Sequence, residues 1–255
     1  MKEIIDYKFL FGLIGRGISY SFSRKFFLEK FKNESIFHAD YKIFDIPKIE
    51  DVSIIFQNPC LKGCNVTIPY KTSIIPFLTK IVAEAESIGS VNVVKIDKNG
   101  HRIGYNTDFL GFELSFKKDI NRLYHNKKNL KALILGTGGV SKTISFVLKR
   151  LRIPYQYVSR TKKKGFLVYE DINKDLLKKY KVIINCTPLG TSPNINLCPS
   201  LPYQYVSSEH YFYDLVYNPN KTLFLKKAEE KGALIKNGLE MLYLQAEESW
   251  KIWNS

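Results

Sequence analysis

The segment GCNVTIPYK, residues 63–71, gathers an amide, a hydroxyl and an ammonium within a few positions. Strand alternation puts Asn65 and Thr67 on one face and Val66 and Ile68 on the other. Pro69 suits the first position of a helix, where its fixed φ and missing N–H cost nothing. The spacing therefore predicts a strand over 63–68 that feeds a helix from Pro69. Lys71 would then fall in the first helical turn, at the positive end of the backbone dipole, where a cation is disfavoured. A local conflict of this kind marks function more often than it marks structure.

A second stretch, LILGTGGVSKTISFVLKRL, joins an apolar strand to a helix through Gly136-Thr137-Gly138-Gly139. Val140, Ile144, Val147, Leu148 and Leu151 recur at helical spacing after it. In such a unit Gly136 makes the tight turn, Gly138 lets backbone approach a pyrophosphate, and the helix N-terminus offers N–H groups to the anion. Ser141 stands where the third glycine of the common fingerprint falls, with Gly139 inserted earlier. A plain tight turn would use the same glycines, so the next strand decides the matter. After YQYVS, where an NAD site places an acid for the ribose, the chain reads Arg160-Thr161-Lys162-Lys163-Lys164. A guanidinium and an ammonium there fit the 2′-phosphate of NADP, against the alternative of a solvated basic loop. Gly136, Thr137, Gly138, Gly139, Val140, Ser159, Arg160, Thr161 and Lys164 are the cofactor candidates.

Strand-like and helical segments alternate throughout the 255 residues, the pattern of an α/β protein with parallel sheets. Strands are expected near 9–14, 41–46, 63–68 and 91–96, with a helix at 23–31 and an Asn99-Gly100 turn. A further helix opens near Asp108, capped by Thr107 or Asp108, and 117–131 reads as a basic surface connection. Strands at 132–135, 155–159, 182–185 and 211–216 and helices at 139–150 and 221–231 follow, Gly232 closing the last of these. A final helix over 238–253 carries both tryptophans.

No apolar run approaches the roughly 20 residues of a membrane span, and FLFGLIG reads as a core strand, not a signal peptide. The four cysteines lack metal spacing and the four histidines are scattered, so no metal or Ser–His site is expected. Free thiols point to a reducing cytoplasm. The formal charge of +15 is spread along the chain without a nucleic-acid motif, and it suits anionic small molecules.

Taken together, FGLIGRGISYSFSRKFF, GCNVTIPYK, IGSVNVV, GYNTDFLGF, LILGTGGVSK, VSRT, INCTPLG, YDLVYNP and KNGLEMLYLQAEESW closely resemble, in order and spacing, the shikimate dehydrogenase family. The resemblance implies NADPH-dependent, reversible reduction of 3-dehydroshikimate to shikimate, a step of aromatic amino acid biosynthesis. It pairs Lys71 with Asp108 across the ring ketone, Lys71 as acid–base group and Asp108 orienting it and binding a substrate hydroxyl. A helix-start position would ease proton release from Lys71. Ser21 and Ser23 match the hydroxyls for the substrate carboxylate, although Ser23 is also a natural helix cap. Thr67, Asn92 and Gln245 match groups for the ring hydroxyls, and Tyr217 a tyrosine near the carboxylate. Asn185-Cys186-Thr187 and Leu215 should line the nicotinamide half, with Gly238 beside it.

The sequence departs from the family pattern at Gly17, Tyr20, Phe109 and Asn237. The expected architecture is a substrate lobe of residues 1–107 plus 238–255 and a Rossmann-type NADP lobe of 108–237, with the site in the cleft between them. A small-molecule substrate, a monomer or homodimer, and no nucleic-acid or membrane partner complete the expectation. The rivals are a quinate/shikimate dehydrogenase, a catalytically silent NADP-binding sensor, and a basic nucleic-acid binder.

Overall fold

The computed structural model describes residues 8–19, 21–123 and 130–255. Tyr20 and residues 124–129 of the basic stretch lie outside the described residues. The chain divides into two compact units, Met1–Thr107 with Ala246–Ser255, and Asp108–Gln245.

The first unit is built on β1 (Phe9–Gly15), β2 (Ala39–Asp45), β3 (Leu61–Val66), β4 (Lys80–Ile81), β5 (Val93–Ile96) and β6 (Arg102–Tyr105), in spatial order β2-β1-β3-β5-β6-β4. β1 runs parallel to β2 and β3, whereas β5 is antiparallel to both β3 and β6. The turn expected at Asn99-Gly100 joins β5 to β6, with Gly100 at φ +79° and its N–H on Asp97 O. β1 reads FLFGLIG without a polar residue because both its faces are covered. Leu10 and Ile14 pack with Cys64, Val66 and Val94, and beside them α2 (Val52–Phe56) and α3 (Ala83–Ile88) contribute Val52 and Ala85. Phe11 and Leu13 face α1 (Phe22–Asn33) through Phe26, Phe27 and Phe31. Trp253, near the end of the last helix, stacks on Phe11 at 4.9 Å between ring centroids and donates Nε1–H to Val94 O. Gly63 is required beneath it, since a Cβ there would strike the indole.

The second unit holds β7 (Ala132–Leu135), β8 (Tyr155–Ser159), β9 (Leu167–Val168), β10 (Val182–Asn185), β11 (Tyr211–Asp214) and β12 (Leu234–Lys236), all parallel. Their spatial order, β12-β11-β10-β7-β8-β9, is the 3-2-1-4-5-6 arrangement of a Rossmann sheet counted within the unit. The order reverses between β7 and β10, where such sheets bind nucleotides at the carboxyl ends of the strands. ALIL and VIIN are wholly buried, the signature of central parallel strands. The helices are α4 (Asp108–Leu123), α5 (Gly139–Arg150), α6 (Lys174–Lys179), α7 (Leu223–Glu229) and the first half of α8 (Leu239–Asn254). Gly111 lets α4 and α8 touch backbone to backbone, for a Cβ there would stand 2.7 Å from Met241 O and 3.0 Å from Gln245 N.

Two local expectations are corrected. Residues 117–123 continue α4 instead of forming a connection, because Phe112, Phe116 and Ile120 carry its buried stripe while Lys117, Lys118 and Arg122 take the outer face. No α-helix starts at Pro69, and the Ile68–Pro69 peptide is cis. Tyr70 N bonds Thr67 O, Ile75 N bonds Thr72 O and Phe77 N bonds Ile74 O, three-residue turns around one isolated four-residue turn from Ile74 N to Tyr70 O, and they end in a single 3₁₀ turn over Ile75–Phe77. With no α-helix around it, Lys71 feels no helix dipole, and that account of its chemistry is withdrawn. Among the described residues no His/Cys/Asp/Glu group could hold a metal, the four cysteines are free, and no helix is long and apolar enough to cross a membrane.

A buried carboxylate organises the carboxyl ends of β10 and β11. Asp214, fully buried, accepts from Asn185 Nδ2 (2.9 Å) and Val216 N (3.0 Å) on one oxygen and from the Thr222 hydroxyl on the other. Thr222 in turn caps α7 by accepting from Leu225 N. Burial pushes the Asp214 carboxyl up to about 6, against the pull of those three donors. The native state therefore holds this proton more tightly than the unfolded chain, whose carboxyl titrates near 3.8. Its contribution to stability is full below that value and is lost as pH rises through the native one. In urea unfolding across pH 3.5–7.5, wild type should lose up to about 3 kcal/mol relative to Asp214→Asn as pH rises, because each tenfold difference in proton affinity is worth about 1.4 kcal/mol. A pH-independent difference between the two proteins would overturn this role.

Candidate active site

In the first unit, β1 and β3 end and antiparallel β5 begins at the same edge of the sheet, since Ile14 lies opposite Val66 and Asn65 opposite Val93. Thr67 leaves β3 at that edge, its N–H on Ile14 O (2.9 Å), and Arg16 N returns to Ile68 O (3.1 Å). Val66 N bonds Asn92 O (2.8 Å) and Val91 N bonds Lys71 O (2.7 Å). These backbone bonds stitch Thr67 and Lys71 to the entry of β5, so Thr67, Lys71 and Asn92 share one end of the sheet. Tyr70 is buried beside the half-buried Lys71 and anchors its turn through a hydroxyl bond to Ile46 O (2.8 Å).

Ser21 and Ser23 reach this end along the exit of β1. Asp45, at the end of β2, accepts from Gly17 N (2.8 Å) and Ile18 N (3.0 Å) and so fixes the turn. Gly17 adopts φ +65°, a conformation open to glycine and closed to proline. Ser21, not Ser23, caps α1, its Oγ accepting from Ser23 N at 3.3 Å. No acid lies in the first turn of α1, which leaves its positive end suited to an anion.

Asn65 is spent on structure. It is 5% exposed, accepts from the Tyr41 hydroxyl (2.8 Å) and donates to Ser249 Oγ (3.0 Å). The chain of bonds continues from Ser249 to Thr107 Oγ1 (3.2 Å) and from Asn92 Nδ2 to the same hydroxyl (3.1 Å), while Thr107 N donates to Asn92 Oδ1 (2.6 Å). Asn92 thus anchors the residue that precedes Asp108.

In the second unit the cofactor candidates converge at the carboxyl edge of the sheet. Gly136 follows β7 at φ +103°, with Thr187 Cγ2 3.0 Å from where a Cβ would stand. Gly138 caps α5 and, like Gly139, has open space where a Cβ would stand, a cradle that a pyrophosphate can enter. Val140 follows in the first turn of α5. Ser141 is buried and bonds back to Gly138 O (2.6 Å), so a small hydroxyl replaces the missing third glycine at the helix–sheet contact. After β8, Ser159 Oγ accepts from Thr161 N (3.3 Å), while Arg160, Thr161 and Lys164 are exposed. Lys163 Nζ reaches Thr137 Oγ1 (3.4 Å), so the basic run folds over the glycine turn. The Thr187 hydroxyl is committed to Asn185 Oδ1 (2.7 Å) and Leu189 N (3.3 Å), leaving its methyl and backbone toward the glycine turn. Gly238 lies on the Leu215 backbone, where a Cβ would collide with Leu215 O, and its N–H bonds Val216 O (3.2 Å). The bond from Leu239 N to Asn237 Oδ1 (3.2 Å) starts α8, and Asn237 Nδ2 also bonds Asn220 O (2.8 Å), which gives that departure a structural use.

Asp108 is the first residue of α4 and is buried. Gln245 lies on α8 with Nε2 on Leu242 O (3.0 Å), and Tyr217 follows β11, half-buried. Three residues that matter to this geometry, Lys163, Gly111 and Asp214, are not legible in the sequence. Lys163 shows there only as one charge in a run, and Gly111 only as a glycine inside a helical pattern. Asp214 gives no signal, since its partners Asn185 and Thr222 lie in other elements, and Asn185, expected beside the nicotinamide, has its amide on that carboxylate.

The family description "Shikimate dehydrogenase substrate binding domain" matches residues 13–94. A shikimate dehydrogenase (NADP(+)) from Clostridium botulinum is 38% identical over 256 residues, covering 95% of both chains. The crystal structure of shikimate dehydrogenase from Aquifex aeolicus superposes with a TM-score of 0.82 at 32% identity, over 97% of this chain and 92% of that one. The shikimate 5-dehydrogenase of Thermus thermophilus, solved in complex with NADP(H) and shikimate, gives 0.81 at 25% identity, over 96% and 93%. With its Rossmann sheet, its glycine turn and this likeness along its whole length, the chain belongs to the shikimate dehydrogenase family.

Proposed function

We propose that this chain is an NADP-dependent shikimate dehydrogenase that reversibly reduces 3-dehydroshikimate to shikimate. The observation that carries the reading is the gathering of Thr67, Lys71 and Asn92 at one end of the first sheet, in a chain of this family. The unit bearing them is the substrate-binding one, and the Rossmann unit takes NADP.

NADPH, when bound, supplies the hydride that reduces the ring ketone. Gly136, Thr137, Gly138 and Gly139 and the start of α5 hold its pyrophosphate, while Ser159, Arg160, Thr161 and Lys164, joined by Lys163, hold the 2′-phosphate. Thr187, Leu215 and Gly238 shape the nicotinamide end. Lys71 donates its Nζ proton to the oxygen of the ketone as charge develops there, and in reverse takes the proton from the hydroxyl. Asp108 orients that ammonium and accepts from a substrate hydroxyl. Ser21, Ser23 and the N-terminal end of α1 bind the substrate carboxylate together with Tyr217. Thr67, Asn92 and Gln245 read the ring hydroxyls. The reading includes a cytoplasmic monomer or homodimer, in keeping with four free thiols, acting on a small molecule without nucleic-acid or membrane partner.

The direct test is loss of NADPH absorbance with 3-dehydroshikimate, run beside 3-dehydroquinate. Turnover should favour the first by at least about tenfold, and no oxidation with either sinks the reading. Lys71→Ala should lower kcat by about 100-fold or more, the usual yield of a positioned acid–base group, with NADPH affinity within about twofold. Unchanged turnover in that variant would remove Lys71 from the chemistry. Arg160→Ala should raise KM for NADPH about tenfold, which is a loss of about 1.4 kcal/mol, and leave KM for NADH unmoved. An equal effect on both cofactors would show that Arg160 does not contact the 2′-phosphate.

A further inference from the structure

Phe109 departs from the family pattern at the position directly after Asp108, and the structure shows what it does there. Phe109 and Glu113 lie one turn apart on α4, and Phe146 and Arg150 lie one turn apart on α5, so each helix presents an i, i+4 pair. The two phenyl rings meet edge to face, 5.4 Å between centroids at 74°. The Arg150 guanidinium covers both, 5.7 Å from the Phe109 ring and 5.8 Å from the Phe146 ring. Its Nε lies 3.2 Å from Glu113 Oε2, an electrostatic contact without the alignment of a directed hydrogen bond. Glu113 and Phe109 are each 6% exposed, and Lys117 pairs with the other Glu113 oxygen.

We propose that Arg150 is a positioning residue for Asp108, acting through a clamp with Glu113, Phe109 and Phe146; this deepens the reading of Asp108 given above and rests on it. The first residue of a helix has no intrahelical bond from its own N–H, and helix ends fray at low cost. Asp108 occupies that first position of α4. The clamp grips the very next side chain, and one turn later it grips a carboxylate whose burial demands a cation. Arginine alone combines a plane that stacks on two rings with a cationic fork, whose Nε here lies beside the carboxylate. Fixing the first turn of α4 against α5 fixes the base from which the Asp108 carboxylate projects. It does so on the helix whose start forms the glycine turn. A misplacement of roughly 1 Å in a reacting group costs on the order of 100-fold in rate, so a partial loosening should be visible in turnover.

Two variants separate positioning from packing. Arg150→Met keeps the apolar stem and loses the fork, and Arg150→Lys keeps the charge and loses the plane. In Arg150→Met, kcat should fall about tenfold while KM for NADPH and for 3-dehydroshikimate stays within about twofold. Arg150→Lys should recover less than half of that loss. In an Asp108→Asn background the same change should cost no further kcat, because the group it positions is gone. Amide hydrogen exchange at residues 109–113 should quicken about tenfold in Arg150→Met, with the last turn of α4 unchanged. The exchange is measured whether or not the wild type turns over, so an idle wild type would sink the proposed activity and leave the clamp to be judged by exchange. Unchanged exchange, faster exchange with unchanged kcat, or an equal kcat loss in the Asp108→Asn background would each overturn the proposal.

Discussion

A buried polar group must find a partner, and in the first unit that demand is met by one continuous chain of hydrogen bonds. It runs from Tyr41 through Asn65, Ser249 and Thr107 to Asn92, linking β2, β3, the last helix and the entry of β5. Each such bond contributes only about 1 kcal/mol net, but leaving one partner unsatisfied costs about 1–3 kcal/mol. The penalty, more than the gain, fixes the geometry, for no member can rotate without orphaning another. Asn92 is held at the edge where Thr67 and Lys71 emerge, and the residue before Asp108 is held with it. The placing of Thr67, Lys71 and Asn92 in this unit is a consequence of satisfying its core.

That constraint also explains what the sequence could and could not disclose. Four of the six Rossmann strands (β7, β8, β10 and β11), the glycine turn and the basic run after β8 were readable because each depends on local chemistry, such as a positive φ at Gly136 or a missing Cβ at Gly138, whereas the short edge strands β9 and β12 were not. The helix expected at Pro69 failed because proline at a helix start and proline in a turn look alike from composition. Only the bonds to β1 and β5 decide between them. Alternation placed Asn65 on one face with Thr67, whereas its partners Tyr41 and Ser249 are distant in sequence and invisible to that pattern. The full length of α4 is masked by its own charges, since Lys117, Lys118 and Arg122 obscure the period of Phe112, Phe116 and Ile120.

The excess of cations, 39 against 24, makes acids the scarcer and more informative residues. In the second unit the buried Glu113 and Asp119 are both paired with cations. Asp119 accepts from the Tyr211 hydroxyl (2.7 Å) and lies 3.5 Å from Lys236 Nζ. Glu240 binds Lys236 and Lys118, which ties the end of β12 to α4 just ahead of Asn237 and Gly238. Partly exposed pairs of this sort contribute little each, but as a network they fix the register of the segment carrying Gly238.

Asp214 is the contrast: the three donors found on it are neutral. Neutral donors stabilise a carboxylate less than a cation does, which is why burial prevails and its proton is held more tightly than in the unfolded chain. An ammonium or guanidinium in its place would add a strong positive charge beneath the carboxyl ends of β10 and β11, the edge where the sheet meets a nucleotide. Holding Asn185, Val216 and Thr222 with a carboxylate alone ties together two strands and a helix start without that competing field. The basic run of this unit, Arg160 to Lys164, lies exposed at the rim instead.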